Sequence, residues 1–182
     1  LELFNSMEDR GLQPDIITFS AAISACGKGG QWEKVLELFN SIEDRGLQPD
    51  VIIFSACIEA FHTATRFDEA CALMYKARSR DFFSLAWKSP STIDLHDCSS
   101  AAAQTILRLV LKELKSGVRA VSDITVVTGQ GNRSGEGGAV LPKQVRSFLA
   151  EYGGPEITEV PENPGCFLLT PESIITWVDS SK

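Results

Sequence analysis

Residues 93–97 read Ile-Asp-Leu-His-Asp and residues 128–131 read Thr-Gly-Gln-Gly, and these two stretches hold the groups best suited to chemistry. Apolar and polar residues alternate from Ile93 to His96, which is the period of a short strand. That spacing predicts Asp94 and His96 on one face, about 6.6 Å apart, with room for a water or a phosphate oxygen between them. A carboxylate beside an imidazole of ordinary pKa ~6.5 can orient, deprotonate or protonate a reacting oxygen near neutral pH. The plainer reading is a turn cap followed by a hydrogen-bonded histidine at a strand end. Glycines in the second stretch turn backbone N–H groups towards an anion, or else simply make a tight turn. Arg133, Lys143 and Arg146 place positive charge after it.

Several elements must position these groups. In Phe82 to Ser91 aromatics mix with Lys88, Ser89 and Pro90, so the helical period stops and an extended linker begins. Phe82, Phe83 and Trp87 are expected to seal the preceding helices, with stacking on bases as the alternative. A helix is predicted from about Ser99 to Lys115, burying Ala103, Ile106, Leu107, Val110 and Leu114 and ending at Gly117. Asp123 to Thr128 reads as a buried strand, so strand, helix and strand make a parallel crossover whose carboxyl ends bring His96 and Gly129 to one edge. A further helix opens around Pro142, with Val145, Phe148, Leu149 and Tyr152 at helical spacing, before closing strands at Ile157–Val160 and Cys166–Leu169.

The first half is built differently. Residues 1–20 recur as residues 36–55 with changes only at Met7/Ile42, Ile16/Val51 and Thr18/Ile53, a spacing of 35 residues. A near-duplicate at that spacing means stacked supersecondary units. In each, Asp15 or its counterpart caps a first helix carrying Phe19, Ile23 and Cys26, which Gly27 is expected to end. A second helix runs from about Gln31 to Arg45 with Trp32, Val35, Leu36, Phe39 and Ile42 on its buried face. The unit from Val51 keeps Phe54, Ile58, Phe61, Phe67, Ala70 and Met74 but loses the Gln-Pro-Asp ending.

Composition narrows the partners. The chain has 182 residues with 17 basic and 24 acidic side chains, net −7. Any contact with nucleic acid must therefore be local rather than carried by bulk charge. Cys26, Cys57, Cys71, Cys98 and Cys166 show no Cys-x-x-Cys spacing and are expected to be reduced, packed thiols. Apolar runs fall far short of the roughly 18 residues that span a bilayer, so no membrane partner is expected. The chain opens at Leu1 within a repeat, so upstream repeats and any targeting peptide are expected to be missing.

The 35-residue period, the closing Leu-Gln-Pro-Asp, and the Ile-Thr-Phe-Ser and Ala-Cys-Gly-Lys-Gly-Gly-Gln-Trp segments resemble the pentatricopeptide repeat family. The resemblance implies a groove along the first helices that holds single-stranded RNA, one base per repeat. The family's reading positions map onto Ser20 and Asp50, a pair similar to those that favour a purine, guanine in first place. Ser55 takes the early-helix place in the next repeat, whose closing position near Leu85 has no donor or acceptor. Without the repeat context, Ser20 and Asp50 read as a helix-start hydroxyl and an N-cap.

Ile-Asp-Leu-His-Asp, Thr-Gly-Gln-Gly-x-x-Ser, Glu162-Asn163-Pro164-Gly165 and the closing Ile175-x-Trp177-Val178 resemble, in order, the small MutS-related domain as it stands behind pentatricopeptide repeats. Known members of that family bind nucleic acid, and several nick DNA or cleave RNA. Its Leu-Asp-x-His motif maps onto Ile93–His96 and its Thr-Gly-x-Gly motif onto Thr128–Gly131. Gln130 and Asn132 depart from plant relatives, which often carry an aromatic and a basic residue there.

The expected architecture is α-helical hairpin repeats, a fragment of an α-solenoid, followed by a small two-layer α/β domain of βαβαββ type. Residues 1–15 would end a truncated repeat, 16–50 form one repeat, 51–85 a degenerate last repeat, 86–92 a linker and 93–182 the small MutS-related domain. The resemblance implies an organellar RNA-binding protein of the chloroplast or mitochondrion. Cleavage of RNA would use Asp94 to orient a water or a hydrated divalent cation such as Mg²⁺, and His96 to move the proton. Thr128, Gly129, Gly131 and Arg133 would hold the phosphate. A non-catalytic clamp that binds RNA or recruits a partner competes with this, and DNA nicking is a third possibility.

Overall fold

The computed structural model describes residues 2–129 and 140–180 and divides into two compact units, Leu1–Phe82 and Phe83–Lys182.

The first unit is helical throughout: α1 (Glu2–Asp9), α2 (Ile16–Lys28), α3 (Trp32–Asp44), α4 (Val51–Thr63) and α5 (Phe67–Ser79). Repetition in sequence becomes repetition in local bonding. Asp15 Oδ1 accepts from Thr18 N at 2.9 Å, and Asp50 Oδ1 accepts from Ile53 N at the same distance. Each carboxylate satisfies a backbone donor that the start of a helix leaves open. Leu47 N donates to Ile42 O and Phe82 N to Ala77 O, both at 3.0 Å and 35 residues apart. The guanidinium groups of Arg45 and Arg80 lie 5.7 Å from the ring centres of Phe19 and Phe54 respectively. The segment up to Phe82 therefore keeps the repeat's local geometry after its Gln-Pro-Asp ending is gone.

Two expectations about this unit are corrected. Gly27 does not end α2, which continues to Lys28 before Gly29 caps it and Gly30, at φ +71°, reverses the chain. Gly27 is needed for packing: a Cβ there would meet Ala60 Cβ at 3.2 Å, so its absence lets α2 and α4 approach closely. On α3 the core takes Leu38, and Leu36 is exposed. At 100° per residue Leu36 lies off the stripe made by Val35, Phe39 and Ile42. Phe54 is fully buried between Phe39 and Phe82, with ring centres 5.5 Å away on both sides. Burying such a ring contributes roughly 1.5–3 kcal/mol.

The second unit opens with a 3-10 turn (Ser84–Trp87) and continues as β1 (Thr92–Asp94), α6 (Ser100–Lys115), β2 (Ile124–Val127), α7 (Val140–Tyr152), β3 (Thr158–Glu159), β4 (Cys166–Leu169) and α8 (Pro171–Ser180). Its mixed sheet has the order β1-β2-β4-β3. β1 and β2 are parallel, while β4 runs antiparallel to both β2 and β3. Ser99 Oγ caps α6 by accepting from Ala102 N at 3.2 Å, and Gly117 follows its end at φ +73°. The core gathers Ile93, Leu95, Ile106, Val110, Val126, Val145 and Phe167.

The terminal helix α8 extends the expected βαβαββ order by one element. It buries Ile174 and Trp177, and the Trp177 indole donates to Gly153 O at 2.5 Å. Of the three linker aromatics, Phe82 seals the helical unit, whereas Phe83 and Trp87 fall in the second unit.

Candidate functional site

The chain leaves the sheet at Asp94. Leu95 N still donates to Val127 O at 2.7 Å, and then His96 and Asp97 turn. His96 therefore lies in a turn, not on a strand face as the alternation predicts. Asp94 Oδ1 receives His96 N at 3.2 Å and contacts His96 Nδ1 at 2.5 Å. The expected gap for a water or phosphate oxygen is closed. The physical reason is the side chain–backbone hydrogen bond at i, i+2, with which an aspartate stabilises a turn in place of further strand.

The carboxylate of Asp94 is only 4% exposed, and its second oxygen takes the ammonium of Lys88 at 2.5 Å. Burial alone would raise its pKa. The Lys88 ammonium and the two contacts from His96 outweigh burial and hold the carboxyl below its ordinary value. Both oxygens of Asp94 are thus engaged inside the fold, one by His96 and one by Lys88, where the sequence reading expects a water or a hydrated cation.

Lys88 reaches it because Thr92 N donates to Ser89 O at 3.2 Å, folding the segment back. Arg119 Nη1 fixes the same turn by donating to Pro90 O at 2.7 Å, itself paired with Glu113 at 2.9 Å. Sequence reasoning missed Lys88 by leaving it in a linker. The one signal in the sequence is a lysine six positions before an aspartate.

The His96 side chain is 43% exposed, and its Nε2 lies 2.8 Å from Asp97 Oδ2, on a side chain that is 66% exposed. Both ring nitrogens thus face carboxylates. Both contacts are hydrogen bonds only when the ring carries two protons, and a neutral ring that donates to Asp94 presents Nε2 as a free base once Asp97 turns away. A cavity of about 210 Å³ adjoins the pair, its lining including Phe83, Ala86, Asp94, His96, Asp97 and Cys98. The Cys98 thiol is pushed up to about 11 by burial and by Asp94 and Asp97, and Cys166 is raised by burial and Asp94. Both remain thiols at neutral pH.

Gly129 sits against this pair. It adopts φ +75°, and a Cβ there would meet His96 Cβ at 3.2 Å. The parallel pairing of β1 with β2 sets this approach, since Asp94 stands opposite Val127. Thr128 is buried, and its N and Oγ1 both donate to Gly165 O, at 2.7 and 3.0 Å. Both bonds anchor the strand end. Gln130, Gly131, Asn132 and Arg133 lie outside the described residues. Arg146 pairs with Glu159 at 2.6 Å and lies over the Phe167 ring, so it is committed to the β3 edge. Lys143 is exposed on α7. Among the described residues no group of three or more His, Cys, Asp or Glu side chains could hold a metal ion.

In the helical unit, Ser20 is half-buried in α2 and Ser55 is exposed at the matching place in α4, its Oγ donating to Val51 O at 2.7 Å. Asp50 spends one oxygen as the cap of α4. Ile17 and Ile52, three residues before the two serines, are exposed apolar side chains at the same repeat position. Sequence reasoning passed over them, although apolar residues recurring outside the buried stripe were the signal. Together with the serines they give each repeat an apolar and a hydroxyl group on one helical face.

The fold and its sites define a class: a stack of helical-hairpin repeats joined to a small mixed α/β sheet. The pentatricopeptide repeat domain model matches residues 2–63, which span α1 to α4. Such repeats generally indicate RNA binding, and proteins that carry them are commonly organellar. No match to a small MutS-related domain was found. The comparison with curated proteins gave no match. Among the described residues no helix is long and apolar enough to cross a membrane.

Proposed function

We propose that the chain is an endoribonuclease of the small MutS-related type: the helical repeats hold single-stranded RNA and His96 catalyses cleavage of a phosphodiester. The observation that carries this reading is a buried carboxylate fixing a half-exposed imidazole beside a cavity. Asp94 accepts a hydrogen bond from Nδ1–H and so selects the tautomer whose Nε2 is basic. Nε2 accepts a proton from an attacking water as its oxygen bonds to phosphorus. The bond from phosphorus to the leaving ribose oxygen breaks, and that oxygen takes the proton back from the imidazolium. Asp94 is a positioning residue here, and His96 is the catalytic one. Within this reading residues 16–50 and 51–85 are repeats, Ser20 and Asp50 read a purine, and residues 93–182 form the cleaving domain. An Mg²⁺ ion would arrive with the RNA phosphates. No observation favours DNA.

A second reading also has an observation behind it. Asp97 occupies Nε2, so the same pair could serve as a fixed acidic clamp for RNA or a protein partner. End-labelled single-stranded RNA, incubated with the chain or with His96→Ala, with and without EDTA, separates the two. General acid–base catalysis predicts a loss of about 10²–10⁴-fold in the variant. Equal cutting by both would sink the nuclease reading, and binding without cutting would establish the clamp. Localisation to a chloroplast or mitochondrion belongs to the same proposal and is checked by fractionating cells for the full-length protein; recovery outside both organelles would refute it.

A further inference from the structure

Phe83 is a bulky residue held at φ +59°, in the left-handed region that such side chains rarely adopt. Its carbonyl accepts from Ala86 N at 2.9 Å, which starts the 3-10 turn, and the residue lines the cavity beside His96. A non-glycine residue in that conformation persists only where its surroundings over-determine it, and such residues cluster at ligand sites. At about 210 Å³ the cavity is smaller than the ~300–1,000 Å³ of sites that enclose a drug-sized ligand, so it suits a single ring system. Two carboxylates, Asp94 and Asp97, stand in its lining; Lys88 pairs with Asp94, and Asp97 meets the His96 ring while its side chain stays 66% exposed. Asp97 thus offers an acceptor at the cavity. A flat, uncharged ring bearing N–H donors is favoured, with Phe83 and Ala86 as apolar wall and Asp97 as acceptor.

We infer that this cavity is a subsite for one nucleobase of the RNA, the base next to the phosphodiester that His96 cleaves, with Phe83 as its stacking surface. The inference rests on the cleavage reading and adds a local base requirement at the cut, independent of the repeats.

Cleavage by the full chain is to be compared with Phe83→Leu and Phe83→Tyr on two short single-stranded RNAs, one intact and one abasic at the nucleotide beside the cut, with folding checked by circular dichroism. Leucine keeps apolar volume without a stacking face, and tyrosine keeps the face. Base–aromatic stacking predicts a loss of about 10- to 100-fold in kcat/KM for Phe83→Leu on intact RNA, near wild-type activity for Phe83→Tyr, and a similar loss for wild type on abasic RNA. On the abasic RNA, Phe83→Leu should then add little. Equal losses on both RNAs, or none, would overturn the subsite and leave the nuclease standing. Failure of the wild-type chain to cut either RNA would overturn the nuclease reading and the subsite with it.

Discussion

The helical unit and the α/β unit use their side chains in opposite ways. In the first, each candidate position exists twice, 35 residues apart, at the same place in its helix: Ser20 and Ser55, Ile17 and Ile52, the Asp15 and Asp50 caps. Its stability is spread through neighbouring helices, and a cross-repeat tie such as Glu43 to Lys76 at 2.5 Å and Arg80 at 3.0 Å is exposed enough to add little. In the second unit Lys88, Asp94, His96 and Gly129 each occur once, and each depends on the others for position. Damage to a repeat should therefore weaken stability or grip by degrees. On the proposed nuclease reading, damage to the α/β network should stop cleavage while the fold survives.

The largest expected effect is that of Asp94→Asn. It removes the charge that holds Lys88 and puts an amide, which can also donate, where a purely accepting carboxylate fixes the His96 tautomer, so on the proposed nuclease reading cleavage should fall by about 10²–10⁴-fold with RNA binding retained. The same residue gives a pH signature. Its native pKa lies below the unfolded value, with burial raising it and Lys88 and His96 lowering it further. Its contribution to stability is therefore complete above an unfolded pKa of ~3.9 and is lost as pH falls below that towards the native value. Thermal melts between pH 6 and 3 should show a shallower acid-side decline in the variant. An unchanged slope, or full cleavage activity, would break the contrast between the units.

Next comes Phe54→Ala, in the ring stack of the helical unit. Loss of a fully buried phenylalanine costs about 3–5 kcal/mol. Thermal unfolding followed by far-ultraviolet circular dichroism should show the helical transition move down while the chemistry of the α/β unit on a short RNA is unchanged. Equal loss of both would show that the units are not energetically separate.

The smallest effect sharpens the comparison. Gly129→Ala must keep φ +75° with a Cβ set 3.2 Å from His96 Cβ, a strain of about 1–3 kcal/mol. Some of it should displace His96, so cleavage should fall by more than the loss of stability explains. If melts drop and cleavage by the folded fraction does not, Gly129 serves only the turn.

The parts of the molecule legible beforehand were those set by neighbours in the chain. The caps at Asp15 and Asp50, the helix from about Ser99, its end at Gly117 and a strand within Asp123–Thr128 follow from residues within a turn or two of each other. Gly27 was misread because helix-ending glycines and close-packing glycines look alike until the partner, Ala60, is known. Leu36 was placed in the core by a stripe drawn one position wide of its centre. At the site, Asp94, His96 and Gly129 were visible as types and spacing, but not the turn that joins the first two directly.

Read alone, the amino-acid order shows that a repeat of 35 residues builds helical hairpins, that a strand–helix–strand unit follows them, and that an aspartate, a histidine and a glycine stand near its strand ends. Those features come from periodicity and from hydrogen bonds closed over a few residues. Packing alone buries Asp94, folds Lys88 back onto it, presents His96 to a cavity and brings Gly129 against its Cβ. Each of these depends on strand register and on the exclusion of water, which arise when distant segments pack and which no local pattern encodes.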